Sequence, residues 1–208
     1  FRLVAGLRGD LGAWNFDTGF VYSEAKVTDL ETNRVSLTLL QQAINRTTPD
    51  AYNPFNGGCT TSDPGQGDCT PNPTSVIDTF RIDVFRKGGT SLALADFKIS
   101  RDDLFTLPGG NVGVATGIEW RRETFFDDRD PRLDGTITWT DSVIAGVTNG
   151  SDVAGTSPSP DTDGTRTVYS AFAEVFVPLV SEDMNIPLIE SFNLQLAGRI
   201  ERFEDIDA

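Results

Sequence analysis

The chain has 208 residues, a net charge of −14 from 17 Lys+Arg against 31 Asp+Glu, no histidine and two cysteines. So acidic a chain is poorly suited to neutralising phosphates, which argues against nucleic acid as a partner, and the missing histidines exclude a Ser-His-Asp triad and the usual His/Cys zinc site. No run approaches the ~18 apolar residues of a membrane helix, but a mean hydropathy of −0.22 is compatible with membrane strands, whose alternation keeps hydropathy low.

The first strand is predicted over residues 2–10, with Leu3, Ala5 and Leu7 opposed to Arg2, Gly6, Arg8 and Asp10. No methionine or leader precedes it, as expected of a chain that begins inside a fold. A short turn at Leu11, Gly12 and Ala13 leads to a second strand from 14 to about 25, where Trp14, Phe16, Thr18, Phe20 and Tyr22 oppose Asn15, Asp17, Gly19 and Ser23. A long insertion then runs to about residue 90. Within it Val35, Leu39, Leu40, Ala43 and Ile44 recur near helical spacing and predict a short helix over about 34–45. Tyr52 and Phe55 lie in a compact turn, "DAYNPFNGG", for which loop packing is preferred to ligand stacking.

Cys59 and Cys69 bracket a Gly/Pro/Asp-rich stretch with no further soft ligand. A disulfide is therefore expected, stabilising the loop by roughly 2–3 kcal/mol and implying an oxidising compartment. Residues 75–86 read equally as a second short helix or a ribbon. The third strand, about 91–105, sets Ala93, Ala95, Phe97 and Ile99 against Asp96, Lys98 and Ser100. "LPGGN" turns it tightly, Pro108 fixing φ and Gly109 or Gly110 free to take φ > 0. The fourth, about 112–126, opposes Val112, Val114, Thr116, Ile118 and Trp120 to Gly113, Ala115, Gly117, Glu119, Arg121 and Glu123.

A second long loop, about 127–165, opens on Asp127, Asp128, Asp130 and Asp134. Calcium favours such oxygens, but the spacing matches no defined calcium loop, so a solvated acidic cluster is preferred. Residues 149–165 lack periodicity and predict a mobile surface loop. The fifth strand, 167–180, places Tyr169, Ala171, Ala173, Val175, Val177 and Leu179 on one face, with Ser170, Phe172, Glu174 and Phe176 on the other. The sixth, 192 to about 204, opposes Phe192, Leu194, Leu196 and Ile200 to Asn193, Gln195, Arg199 and Glu201.

Short and long connections alternate, and the strands exceed the five or six residues usual in soluble sheets. Both features predict an all-β fold: a segment of an antiparallel transmembrane β-barrel, with short periplasmic turns and long extracellular loops at about 26–90 and 127–165. Charged residues on the second face suit a wet lumen, and aromatics near strand ends suit interfacial girdles. The rival is a soluble β-sandwich surface-binding or adhesion module with a stapled loop. A hydrolase using paired carboxylates among Glu123, Asp127 and Asp128 is disfavoured because no pair is marked out by spacing; neither catalysis nor a cofactor is expected.

"LPGGNVGVATGIEWRRETFFDD" and "TVYSAFAEVFVPLVSE" followed by "FNLQLAGRIERFED" resemble strand pairs of TonB-dependent outer-membrane receptors. "AINRTTPDAYNPFNGG" is similar to an extracellular-loop segment of the larger, oar-like members, whose substrate is unassigned. The resemblance implies a 22-stranded barrel in the outer membrane, with a plug and an energy-transducing box absent from these residues. This chain would be a middle part of the wall. The implied partners are outer-membrane lipid, the TonB complex acting through the missing part, and a scarce ligand: siderophore, cobalamin, oligosaccharide or peptide. A surface lipoprotein is compatible with that class. Tyr52, Phe55, Arg121, Arg122 and Arg129 are candidate ligand contacts, because they sit at or above the outer rim of the strands.

Overall fold

The computed structural model describes residues 1–56 and 69–204. The chain is all-β and mostly antiparallel. The elements are β1 (Arg2–Leu11), β2 (Trp14–Val35), α1 (Leu37–Ile44), α2 (Thr74–Ile77), β3 (Arg81–Leu107), β4 (Gly110–Arg129), β5 (Trp139–Thr140), β6 (Thr148–Asn149), β7 (Thr162–Val180), a 3-10 turn (Glu182–Met184) and β8 (Phe192–Phe203). Among the described residues one six-stranded sheet has the order β1-β2-β3-β4-β7-β8, and β5 pairs with β6. It is an open meander whose edges are β1 and β8.

Antiparallel registers join β1 to β2 and β7 to β8. Side-chain contacts give the sense of the inner pairs. Thr18 Oγ1 donates to Asp96 O at 2.6 Å and Asn33 N to Asp83 Oδ1 at 3.3 Å, so β3 descends as β2 rises. Likewise Thr106 Oγ1 meets Asn111 Oδ1 at 2.8 Å, while Ser91 Oγ meets Thr124 Oγ1 at 2.6 Å.

Two compact units divide the chain. The sheet unit comprises Phe1–Lys26, Gly89–Phe125 and Asp163–Ala208; the connection unit comprises Val27–Gly88 and Phe126–Thr162. In the sheet unit, Gly12 at φ +65° joins β1 to β2 in a two-residue turn, the positive φ that a type II′ hairpin needs at its first central position. At the next short turn Gly110 takes φ +135°. Gly109 is glycine for a different reason: a Cβ there would lie 2.5 Å from Pro178 O and Leu179 C, both backbone atoms. Gly109→Ala is therefore expected to force β4 and β7 apart at this end, costing about 1–3 kcal/mol, typical of overpacking. A thermal unfolding midpoint would read this, and an unchanged midpoint would refute the close approach.

The connection unit holds the buried aliphatic cluster of Ala43, Val76, Val84 and Val153, with Phe80. The predicted helix is present but begins at Leu37, because Ser36 caps it: its Oγ accepts from Leu39 N at 3.2 Å. Residues 75–86 split between the two readings, α2 ending at Ile77 and β3 starting at Arg81.

The strands extend further than sequence periodicity predicts: β2 to Val35, β3 back to Arg81 and β4 on to Arg129. Their outer lengths carry only scattered apolar residues, among them Val27, Leu30, Ile82 and Val84, too few for a sustained hydrophobic period to mark them. The expectation of a mobile loop over 149–165 is also overturned, since Ser151, Asp152 and Val153 are fully buried. The Cys59–Cys69 expectation involves a residue outside those described.

Candidate functional site

Register sorts the sheet unit's side chains into two unlike faces. Pairing of Leu3 with Tyr22, Ala5 with Phe20 and Leu7 with Thr18 fixes the apolar face of β1 and β2. Phe16 stacks on Phe97 with centroids 6.5 Å apart, bringing Ala95, Phe97 and Ile99 onto that face. The Ser91–Thr124 contact adds Ile118 and Trp120, and the register of β7 with β8 groups Tyr169, Ala171, Val175, Leu196 and Ile200. These residues stay open: Leu7 is 68 % exposed, Ile118 62 % and Ile200 74 %.

The apolar set is a band rather than a whole face. It covers residues 3–11, 14–22, 93–99, 112–120, 169–179 and 194–200. On the same face the next residue towards the long connections is polar on five strands: Glu24, Ser91, Arg122, Thr167 and Arg202. At the other end of β3 it is Arg101, salt-bridged to Asp103 at 2.9 Å. Most runs match the ~9–11 residues with which a tilted strand crosses hydrocarbon.

The opposite face carries cross-strand and same-strand ion pairs. Arg8 Nη2 lies 2.8 Å from Asp17, Lys98 Nζ 3.2 Å from Asp96, and Arg121 Nε 3.4 Å from Glu123. Arg199 lies between Glu119 at 3.6 Å and Glu201 at 2.7 Å, and Ser170 Oγ donates to Glu201 at 3.2 Å. Glu174 accepts from Gln195. Phe172 packs over Gly117, where a Cβ would meet its ring at 2.5 Å. Half-exposed pairs of this kind contribute little stability, so the face behaves as a wet, charge-balanced surface. Val112 and Val168 are the fully buried hydrophobic residues among the described residues of this unit. One layer of sheet thus separates an apolar band from a charged face, with no packed core of its own among the described residues.

In the connection unit, Arg86 grips Asp127 with two parallel bonds, Nε to Oδ1 at 2.7 Å and Nη2 to Oδ2 at 2.8 Å. Arg129 Nη2 adds a third at 3.1 Å. Arg86 chiefly holds the Asp127 carboxyl below the usual carboxylate range, against the upward push of desolvation, with Arg129 adding to the lowering. A second cluster joins the two long connections. Asp152 accepts from Ser36 Oγ at 2.6 Å, from Thr38 N at 2.8 Å and from Arg132. Burial pushes the Asp152 carboxyl up, but the donors Ser36, Thr38 and Arg132 together outweigh it and hold it low. Gln41 bridges to the second connection through Nε2 to Thr140 O at 3.1 Å and Oε1 from Ser142 N at 3.0 Å.

The predicted site residues are dispersed. Tyr52 packs edge-on against Phe80 with centroids 5.0 Å apart, while Phe55 is 76 % exposed. Arg121 and Arg122, as neighbours on β4, project to opposite faces, so they do not serve one site. Arg121 Nε, in its ion pair with Glu123, and Arg129 Nε are buried and make no hydrogen bond. The four acidic residues are not gathered: Asp127 is held by arginines, Asp130 Oδ1 accepts from Arg132 N at 3.0 Å, and Asp134 Oδ1 from Thr136 N at 2.6 Å. Asp128 belongs to none of these contacts. Among the described residues no three His, Cys, Asp or Glu are arranged to hold a metal ion. The Ser36–Arg132–Asp152 and Arg86–Asp127 clusters were missed in sequence, where only the Ser before an apolar helical run hinted at the first.

Fold and site together define a single-layered antiparallel sheet, amphipathic across its thickness, carrying two long connections. No family model, curated protein or solved structure matches the chain.

Proposed function

We propose that this chain is part of the wall of an outer-membrane β-barrel of the TonB-dependent receptor kind, which binds and actively imports a scarce ligand. The observation that carries the reading is the apolar band, exposed on every strand and bounded on the side of the long connections by polar residues on five of the six strands. A bilayer predicts such a band, because hydrocarbon is about as thick at every strand, whereas a second protein layer has no reason to end at one level. The loop asymmetry agrees with it: Gly12-Ala13 and Pro108-Gly109 make the tight turns, and the connections through α1 and β5–β6 are long. The sandwich alternative calls for a second sheet over the apolar face. Among the described residues the further β-structure is the two-residue pairing of β5 with β6, in the other unit.

On this reading the charged face lines a wet lumen and the long connections form the cell-surface vestibule, with a Cys59–Cys69 disulfide in the first of them. Arg121 and Arg129, whose side chains are partly exposed, are the ligand contacts to test first, together with exposed Phe55 in the first long connection. Arg122, on the apolar face, leaves that set. Siderophore, cobalamin, oligosaccharide and peptide all fit a lumen of mixed charge. Energy coupling through the TonB complex and a capping lipoprotein are carried by the resemblance alone.

The full-length gene product is expected to fractionate with the outer membrane, to need detergent for monodispersity, and to migrate faster on gels before boiling than after. A product that remains folded and monodisperse in plain buffer overturns the reading. Once placement is established, loss of ligand accumulation on collapse of the proton-motive force separates active import from a passive pore.

A further inference from the structure

A groove of about 650 Å³ lies in the sheet unit, lined on the apolar face by Ala95, Phe97, Ile118, Ala171 and Ile200. The two alanines leave the trough; the larger side chains wall it. Trp120 and Tyr169 stand at one end, and there Arg202 also lines it, directly opposite Tyr169 in the register of β7 and β8. Arg122 follows Trp120 on the same face. The groove is therefore mostly apolar, with Arg202 in its lining and Arg122 just beyond it at one end; Asp96, Glu119, Ser170 and Glu201 also line it, at positions that alternate to the charged face.

Within the sheet unit the two arginines, like Arg2, stand apart from the other basic residues. Carboxylates outnumber basic residues 31 to 17, and in the same unit Arg8, Lys26, Lys98, Arg101, Arg121 and Arg199 all form salt bridges. Arg122 and Arg202 make no ion pair with any described residue. A guanidinium beside apolar surface is stabilised by a planar anionic acceptor, which a phosphate supplies in bidentate form. β7 alone separates β4 from β8. At ordinary strand spacing that gap is about 10 Å, with Arg122 about 7 Å further along its strand than Arg202, an offset that two extended arginines span from both sides.

We propose that this groove seats one acyl chain of an anionic, phosphate-bearing membrane lipid, with the lipid phosphate held by Arg122 and Arg202. The inference rests on the lipid-facing reading of the apolar band and goes beyond it by assigning a specific lipid site with a charge preference. Each arginine near a headgroup is expected to change the preference about fivefold, the ratio equivalent to about 1 kcal/mol.

The test reconstitutes the full-length protein in bilayers of mixed phosphatidylglycerol and phosphatidylcholine, extracts it, and weighs the retained lipid by native mass spectrometry. Retained phosphatidylglycerol is expected to be enriched over the bulk mixture. Arg122→Gln with Arg202→Gln is expected to abolish the enrichment, and Arg2→Gln, on the charged face, to preserve it. Equal retention of both lipids by the unaltered protein, or enrichment surviving the double substitution, overturns the site while leaving the membrane reading intact. Competition by inorganic phosphate alone overturns it in favour of a free-phosphate site. Failure to enter either bilayer removes the membrane reading, and this inference with it.

Discussion

Arginine at Ala173 should destabilise the protein in a bilayer by about 2–4 kcal/mol and reduce its insertion, whereas arginine at Ala197 should be nearly neutral. The two sites are matched in all but the face they occupy. Both are exposed alanines in the adjoining strands β7 and β8. Ala173 pairs with Gly198, whose position has open space around it, so a long side chain meets no steric obstacle. It also lies midway along the apolar run 169–179, where the cost of a charge in hydrocarbon is greatest. Ala197 pairs with Glu174 on the charged face, where an added cation gains a carboxylate neighbour and keeps its water. A soluble module predicts the reverse order, since Ala173→Arg would break up an exposed apolar patch and improve solubility. Urea unfolding in lipid vesicles measures both. Equal costs for the two substitutions would mean that the faces meet the same medium.

The apolar band was legible in the sequence because it obeys one rule, a period of two, over each stretch that crosses the sheet unit. Trp14 through Tyr22 and Tyr169 through Leu179 announce both the strand and its orientation. The same rule failed beyond Ala25 and before Ser91, where β2 and β3 continue with mostly polar residues and only scattered apolar ones. There the ladder is held by backbone pairing and by local polar contacts such as Arg81 with Asn33, which leave no hydrophobic signature. The connection unit was least legible for a related reason. Ser151, Asp152 and Val153 lie in a stretch rich in Ser, Asp and Gly, the composition of a mobile loop. Their burial depends on partners more than a hundred residues away in sequence, Ser36 above all. A satisfied buried carboxylate cannot be told from a solvated one by spacing.

That carboxylate gives the second large effect. Asp152→Ala removes the acceptor shared by Ser36, Thr38 N and Arg132, leaving a cation and the first turn of α1 without their partner. Breaking a buried pair in this way costs about 3–5 kcal/mol; the lower end is expected because Arg132 remains 27 % exposed and keeps part of its hydration. The loss should appear as faster amide exchange over Leu37–Ile44, with the exchange of β7 and β8 unchanged. Acid should reproduce it. An unfolded Asp titrates near 3.9, and the folded carboxyl of Asp152 lies lower. Its contribution is therefore complete above the unfolded value and is lost as pH falls through the folded one. Asp127, held low by Arg86, and Asp141, held low by the amides of Ile144 and Val143, act in the same direction in this unit. Protection of α1 should thus be flat from neutrality to about pH 5 and fall below about pH 4, with a shallower fall in Asp152→Asn. Protection that persists unchanged to pH 2, or that falls equally steeply in the Asn variant, would remove Asp152 as the latch between the two long connections.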